Sequence, residues 1–389
     1  MSDMLKTGIC KMRLTQFRSY ESLSLNLPDA FCPVVLTGHN GAGKTNVLEA
    51  ISFLTAGRGL RSARLSDVAR RVEGRVPDGV EVLPVRWAVS ASVDVNGNQF
   101  DIGTGTVDGS DRRQIRIDGK NVSKQADLAR AFRCLWLTPA QDRLFCGDPA
   151  SRRRFLDRLV QVFDPAHADR LTDYGAAFKQ WSCLLREGRF DGAWLASLEA
   201  QMASFGVAIS AERLDMAVRL MTHLRANAID YFPQAEITLT GLVEQKLMEK
   251  SAVYVEEEFA DYLKKMRHVY ADGGSVQGPH TADFKVFHKQ KNMSGELCST
   301  GEQKALLISI ILSQMSVQMK EQGMCPVLLF DEAAVHLDVR RRQVLFDVLA
   351  SLPAQVWMTG TEENAFQHLA KKAYFLTVEE SIINDLKVA

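Results

Sequence analysis

Apolar positions along the chain fall into stretches of two different periods. Near the start, "MRLTQF" and "LSLNLP" alternate apolar and polar side chains, the pattern of two strands, with a turn expected at Ser19 to Glu21. "FCPVVLTG" is continuously apolar, as in a strand buried on both faces. "KTNVLEAISFLTAG" then places Val47, Leu48, Ile51 and Leu54 at helical spacing, with Gly57 as the stop. Further strands are expected at "VRWAVSASVDV", "QFDIGTG" and "RRQIRIDG", with Asn96 and Gly97 as a hairpin turn. Residues 1–138 therefore read as a β-rich lobe that contains one buried strand followed by a helix.

From Pro149 to about Phe232 the period becomes helical, in "ASRRRFLDRLVQVF", "LTDYGAAFKQWSCLLREG" and a long run from Trp194. A strand-like "AEITLTG" and a helix "VEEEFADYLKKMRHVY" precede a glycine-rich break at Gly273 to Gly278. After it come "ADFKVFH", a helix "GEQKALLISIILSQMSVQMKEQ", a buried strand "CPVLLFDE", a helix "VRRRQVLFDVLASLP" and a strand "QVWMTG". Buried strands that alternate with helices imply an α/β fold with a parallel sheet. Its halves lie at the two ends of the chain, 1–138 and 276–389, with a mainly helical insertion at 139–275 between them.

Composition narrows the class without naming a chemistry. The 389 residues include 47 basic and 47 acidic ones, so any surface for nucleic acid must be local. The stretch from Arg58 to Arg158 is modestly basic, and Glu244, Glu249, Glu256, Glu257 and Glu258 compensate. The 7 cysteines are scattered with no C-x-x-C pair, which suggests neither a disulfide framework nor a zinc site. The chain shows no apolar run long enough to span a bilayer and no leader pattern, so a cytoplasmic protein is expected.

Chemistry enters at "GHNGAGKTN". Gly38, His39, Asn40, Gly41, Ala42, Gly43, Lys44 and Thr45 fit G-x-x-x-x-G-K-[ST] between a strand and a helix, the context that a phosphate-binding loop requires. Glycines let backbone N–H groups converge on a phosphate, and the helix beginning near Lys44 turns its positive end to it. Lys44 would neutralise the β- and γ-phosphates of ATP, and the Thr45 hydroxyl would hold Mg²⁺. "PVLLFDE" ends a buried strand in Asp331 and Glu332, at the carboxyl end where ligands sit in open α/β sheets. Asp331 would serve Mg²⁺ and Glu332 would act as general base. Alone, the pair reads first as carboxylates capping the next helix; beside a phosphate loop it reads as the hydrolytic half of an ATPase.

"CSTGEQKALL" puts Ser299, Gly301 and Gln303 at the head of an apolar helix before Asp331, and "AVHLD" ends in Asp338 after it. The first resembles the S-G-G-Q signature of ATP-binding-cassette ATPases and the second their D-loop. In that superfamily the signature caps the γ-phosphate held by a partner subunit, which implies an ATP-dependent homodimer. Read alone, "STGEQK" is also an ordinary helix cap. The interval from the phosphate loop to the signature is longer than transporter ATPases use, and it lacks the sustained heptads of long coiled coils.

"LTQFRSYESLSL", "GHNGAGKTNVLEAISFLTAGRGLRS", "TPAQDRLFCGDPASRRRFLDRLV", "GPHTADF", "STGEQKALL" and "LLFDEAAVHLD" together resemble the RecF family of bacterial recombination and replication-repair proteins, from about Arg13 to Thr361. The resemblance implies a P-loop ATPase domain similar to the heads of chromosome-structural (SMC) proteins, with an inserted helical subdomain. It implies slow ATP hydrolysis, with ATP and Mg²⁺ as ligands. It also implies binding of double-stranded and gapped DNA without sequence specificity, and cooperation with RecR and RecO in loading RecA. Carried over, Gly38 to Asn46, Ser299, Gly301, Gln303, Asp331, Glu332 and Asp338 form the nucleotide site. Gln141 is the Q-loop candidate, also for the metal. Arg18 is either near the nucleotide or a surface arginine in a turn. The chain departs from the family pattern G-P-H-R-D-D at Thr281 and Ala282. No histidine ends "QVWMTG" where transporter ATPases carry their switch residue, which leaves Thr359 or Thr361 as the substitute.

For DNA, Arg58, Arg61 and Arg64, and Arg152, Arg153 and Arg154, are spaced to form basic ridges that either meet phosphates or are solvated faces. No base-reading motif is present, so contact by backbone and shape is expected. The alternative is an ATPase subunit of a transport or nuclease-associated machine.

Overall fold

The computed structural model describes residues 5–70, 86–107, 112–226, 229, 231–332, 334–370 and 372–385. The chain forms two compact units: Met1–Asp142, Ile229–Phe232 and Met315–Ala389 in the first, Arg143–Ala228 and Pro233–Gln314 in the second.

The first unit opens with strands β1 (Thr7–Phe17) and β2 (Tyr20–Asn26), joined at Arg18 and Ser19, a tighter turn than the sequence pattern implies. Strand β3 (Val34–Thr37) leads into helix α1 (Lys44–Ser52), followed by the short α2 (Leu65–Val68). Then come β4 (Ala88–Val95), β5 (Asn98–Thr106), β6 (Arg113–Ile117), β7 (Lys120–Val122), helix α3 (Gln125–Ala131) and β8 (Cys134–Leu137). The β4–β5 turn has positive φ at both Asn96 and Gly97, as the turn twist that suits a two-residue hairpin demands.

The second unit contains α4 (Pro149–Phe163), α5 (His167–Arg186), α6 (Gly192–Ala226), β9 (Ala235–Thr240), α7 (Leu242–Glu249), α8 (Ala252–Lys265), α9 (Arg267–Ala271), β10 (Asp283–His288) and β11 (Met293–Ser294). Helix α10 (Thr300–Gln322) begins in this unit and ends in the first. There the chain continues through β12 (Val327–Phe330), α11 (Val339–Ser351), β13 (Val356–Thr359), β14 (Tyr374–Glu379) and β15 (Ile382–Asp385).

Two six-stranded sheets build the first unit. One is antiparallel, in the order β2-β1-β4-β5-β6-β7; the other runs β15-β14-β3-β13-β12-β8 and is parallel except at β15. Every residue of β3, β8, β12 and β13 is buried, which is why these segments read as continuous apolar runs. The antiparallel sheet buries one face only: Met12 and Leu14 of β1 face the core with Val89, Ala91 and Ile102. Val47, Leu48 and Ile51 of α1 join the same core as Leu36 and Trp357 from the parallel sheet.

Helix α1 stops at Ser52 instead of reaching Gly57. The Ser52 hydroxyl donates to Glu49 O (2.6 Å) and accepts from Leu60 N–H (2.8 Å), a side-chain alternative to another helical turn. Phe53 then packs edge-on against Phe17 and Trp87 at 6.0 and 5.2 Å, contacts worth about 0.5–1.5 kcal/mol each beyond their buried area. These rings fix the chain just past α1 to the antiparallel sheet.

The second unit is held by α5, α6 and α8 around Trp181, Leu198, Met202, Phe259 and Leu263. Its small sheet, β11-β10-β9, packs on α4 through Phe284 and Phe155, 6.1 Å apart. The segment from Gly278 to Gln314, which the sequence pattern groups with the ATPase core, lies in this unit. Strands β14 and β15 and helix α7 carry no expectation from the sequence.

Candidate functional site

The loop between β3 and α1 has the geometry of a phosphate cradle. Gly38 has φ +140°, and a Cβ there would lie 2.2 Å from Val378 O; Gly43, at φ +112°, would bring one 2.9 Å from Tyr20 Oη. Neither position admits a side chain. The apex, His39, Asn40 and Gly41, is exposed, whereas Ala42 and Gly43 are buried under it. Lys44 folds back along the loop and donates to Gly38 O (2.6 Å) and His39 O (2.7 Å). Burial pushes its ammonium below the ordinary lysine value, and Asp331 and Glu332 work in the opposite direction.

Strand ends supply the rest. The Thr45 hydroxyl lies 2.9 and 3.0 Å from the two carboxylate oxygens of Asp331. Thr359, at the end of β13, donates from its hydroxyl to Asp331 Oδ1 (2.7 Å) and accepts the Glu332 N–H (2.8 Å). Glu332 itself has φ +53°, a left-handed conformation that costs a non-glycine residue about 1–2 kcal/mol. Lys44, Thr45, Asp331, Glu332 and Thr359 thus meet at the carboxyl ends of β3, β12 and β13. A glycine cradle that a Cβ would fill, an ammonium, and a hydroxyl and carboxylate within 3 Å of each other fit a triphosphate and a hard, oxygen-preferring cation.

The β1–β2 turn presses on this loop: Tyr20 Oη donates to Gly43 O (3.2 Å), and the Asn46 amide donates to Ser19 Oγ (2.9 Å). Arg18 is beside the loop, but its guanidinium forms a bidentate pair with Glu49 (2.8 and 2.6 Å) and donates to Asp67 O. Arg61 joins the same fully buried Glu49 at 2.8 Å and also donates to Asn46 Oδ1. Sequence reasoning missed Glu49; its signal was a lone acid inside the apolar run "VLEAI". Gln141 turns back on its own short helix, accepting from Thr138 N (3.0 Å) as half of a capping box.

The second unit carries the signature residues. Ser299 stands exposed before α10, with its N–H and hydroxyl both 2.9 Å from Glu302 Oε2. Lys291 pairs with Glu302, and that ion pair and the Ser299 contacts hold the carboxyl down to about 2. Gly301 is half-buried. The Gln303 side chain points inward, donating to Cys298 O (2.8 Å) and Cys146 Sγ (3.2 Å), so it braces the loop from within. Asp338 is the N-cap of α11, accepting from Arg341 N at 2.9 Å.

The basic residues separate into two kinds. Arg58 and Arg64 are exposed, and Arg154 is exposed with a 2.6 Å bond to Ser151 Oγ. Arg152 is committed to a bidentate pair with Asp283 (2.7 and 2.9 Å), and Arg153 donates to Ala282 O (2.5 Å). These two fasten α4 to the "GPHTAD" segment, so the expected ridge at Arg152 to Arg154 is largely internal.

The same segment is embedded in a buried polar network. Arg213 pairs bidentately with Asp157 (2.7 and 2.8 Å) and donates to Pro279 O (2.6 Å). His167 bridges Asp157 (2.9 Å) and Glu212 (2.7 Å); burial opposes its charge, but the two carboxylates raise it above the ordinary histidine value. His280 shares a 2.7 Å hydrogen bond with Tyr174 Oη and lies 4.6 Å from the Phe178 ring centroid; burial pushes it down to about 4. Thr281, one of the departures from the family pattern, closes its own turn by donating to Gly278 O (2.9 Å).

Residues 8–384 match the family described as "RecF/RecN/SMC N terminal domain". The chain is 45% identical over 384 residues to the "DNA replication and repair protein RecF" of Mesorhizobium japonicum, covering 97% of this chain and 98% of that protein. The corresponding protein of Agrobacterium fabrum is 42% identical over 378 residues, 96% and 97% of the two chains. Among solved structures, the recombination mediator protein RecF with ATPrS aligns over 100% of both chains at a TM-score of 0.82 and 19% identity. The Smc head domain of Pyrococcus furiosus aligns over 98% of this chain and 96% of its own, at a TM-score of 0.54 and 15% identity. These two likenesses concern the fold.

Proposed function

The chain belongs to the RecF family of DNA replication and repair proteins, and we propose that it couples ATP to assembly on DNA during replication repair and recombination. The observation that carries the ATP half is the meeting of Lys44, Thr45, Asp331, Glu332 and Thr359 at three strand ends. Backbone N–H groups of the glycine loop and the Lys44 ammonium would bind the β- and γ-phosphates once Lys44 leaves the loop carbonyls. Thr45 and Asp331 would hold Mg²⁺, which supplies charge neutralisation on the phosphate oxygens. Glu332 would take the proton of the attacking water, giving ADP and phosphate. Thr359 would keep Asp331 and the Glu332 backbone in register.

Hydrolysis is proposed to be slow and DNA-stimulated, because Thr359 turns to the carboxylates and offers no imidazole to the γ-phosphate. Ser299 and Gly301 at the head of α10 would cap the γ-phosphate held by a second copy, so that ATP joins a homodimer. The DNA partner is proposed to be double-stranded or gapped, bound without sequence specificity, and the protein partners RecR and RecO, which load RecA at single-strand gaps. A cytoplasmic location accords with this reading, and no described helix is long and apolar enough to cross a membrane.

Two measurements test the reading. Lys44→Ala is expected to abolish ATP binding while leaving the unfolding transition in place; equal ATP affinity in mutant and wild type would refute the phosphate-loop assignment. Light scattering with gapped, single-stranded and duplex DNA is expected to show ATP-dependent dimers that favour gapped or duplex DNA. A protein that stays monomeric with ATP on every DNA would sink the assembly half.

A further inference from the structure

The antiparallel sheet of the first unit has one face in the core and one in water. Along the second, a single cross-strand row can be read from the register: Ser24, Arg13, Ser90, Gly103, Arg116 and Asn121. Period-2 alternation sends all of them to the side opposite Leu14, Val89 and Ile115. Arg13, Ser90 and Arg116 are exposed. Between the two arginines, serine and glycine form the floor of a trough of about 380 Å³, and Lys11 of the neighbouring row lines the same trough.

Three features make this face a surface for a polyanion. Three cations surround the trough against one acid, Asp101, which accepts from Ser92 Oγ (2.7 Å). Among the described residues no ion pair ties Lys11, Arg13 or Arg116 to a carboxylate, in contrast to Arg18, Arg61 and Arg152. Arg116 is steered by Asn121, whose side-chain oxygen accepts its Nε–H at 3.2 Å. The arginines are carried by strands and not by loops, so their spacing is set by the sheet. Three strand steps separate their backbones by roughly 14 Å, enough for the side chains to reach phosphates on either side of a DNA groove, which is about 6 to 12 Å wide.

We propose that this sheet face, with Arg13 and Arg116 as its two phosphate contacts, Lys11 beside them and Ser90 and Gly103 as a floor low enough for close approach, seats the backbone of duplex DNA. The inference rests on the DNA-binding reading above and assigns it a place. A protein partner is disfavoured by the face itself, because protein interfaces are anchored by aromatic or large aliphatic side chains, and this row has none. Contacts of this kind carry no base information, in keeping with binding by backbone and shape.

The test is fluorescence anisotropy of a labelled duplex with the full chain and ATP, over a range of salt concentrations. R13E/R116E is expected to weaken binding at least tenfold and to flatten the log–log salt dependence by about two units, since each lost phosphate contact removes about 0.9. R13K/R116K keeps both charges and is expected to keep the slope. Ser90→Trp raises the floor without changing charge, and is expected to weaken binding while the slope changes little. A Cβ at Gly103 would meet nothing closer than 3.9 Å, so Gly103→Glu tests the floor with an acid and without crowding the backbone. All variants should retain the wild-type unfolding midpoint and ATP affinity, because the phosphate loop is built from other residues. If wild type binds duplex and R13E/R116E binds it with the same affinity and slope, the sheet face is not the DNA seat and only this inference falls. If wild type itself binds no duplex, the DNA-binding reading falls with it.

Discussion

The hydroxyl of Thr359 has one proton and spends it on Asp331, while its lone pairs take the N–H of Glu332. One buried side chain therefore fixes both carboxylate residues at the end of β12, and it does so where Glu332 sits at an unfavourable φ. Thr359→Val removes both bonds at constant shape and leaves the Glu332 N–H without its partner, a loss of roughly 1–3 kcal/mol in stability. ATP hydrolysis is expected to fall at least tenfold with ATP affinity within about threefold, and Thr359→Ser is expected to restore the rate; a variant that hydrolyses ATP like wild type would show that the hydroxyl positions nothing. His280 offers a different measurement at this scale. Its folded value of about 4 lies below the 6.5 of an unfolded histidine, so between these pH values the unfolded chain takes up a proton that the native chain does not. Its contribution is present above pH 6.5 and is lost as the pH falls towards 4. His167 is shifted the other way, so wild type alone would blend the two. The difference in urea midpoint between wild type and His280→Gln is expected to shrink from pH 7 to pH 4; a constant difference would contradict a buried neutral imidazole.

At the scale of elements, what the sequence could show and what it could not have physical causes. The phosphate loop, β3, α1, β12 and β13 were readable because fully buried parallel strands leave unbroken apolar runs, and because backbone-cradling glycines have few other uses. Helix ends were less readable: α1 stops at Ser52 because a hydroxyl competes for the backbone, a choice that apolar periodicity cannot register. Strand β14 extends the sheet by pairing with β3, and β15 closes it by turning back on β14; the β14–β3 register joins segments far apart in the chain and has no local pattern. The arginines were the hardest. Arg152 to Arg154 look like a ridge in one dimension, but Asp283, far along the chain, takes Arg152, while Arg13 and Arg116 come onto one cross-strand row only through sheet register. Arg152→Ala should therefore act on α4 and β10 and not on DNA. It leaves Asp283, a side chain 17% exposed, without its partner, at a cost of roughly 1–3 kcal/mol. A lowered urea midpoint with an unchanged DNA salt slope is the expected result; a flattened slope in a protein of unchanged stability would return Arg152 to the DNA surface.

At the scale of the whole molecule, the proposed reading gives each chain two half-sites: Lys44 and Thr45 with Asp331 and Glu332 in one unit, and Ser299 with Gly301 in the other. The proposed dimer completes each ATP site with the signature of the opposite chain. Glu332→Gln should bind ATP without hydrolysing it and accumulate as an ATP-bound dimer in light scattering. Ser299→Arg should bind ATP nearly normally, since the phosphate loop is untouched, yet stay monomeric, because a bulky cation replaces the cap over the γ-phosphate. Lys44→Ala should fail for the opposite reason: its signature is intact and its own loop is empty of charge. Mixing the last two variants separates the possible geometries. In a head-to-tail pair, the sound phosphate loop of the Ser299→Arg chain faces the sound signature of the Lys44→Ala chain, so one complete composite site is restored in each heterodimer. ATP-dependent association and hydrolysis should then rise above the level of either variant alone. If the mixture shows no such gain while both proteins give native unfolding transitions, the site is completed within one chain, and ATP cannot be what holds two copies together.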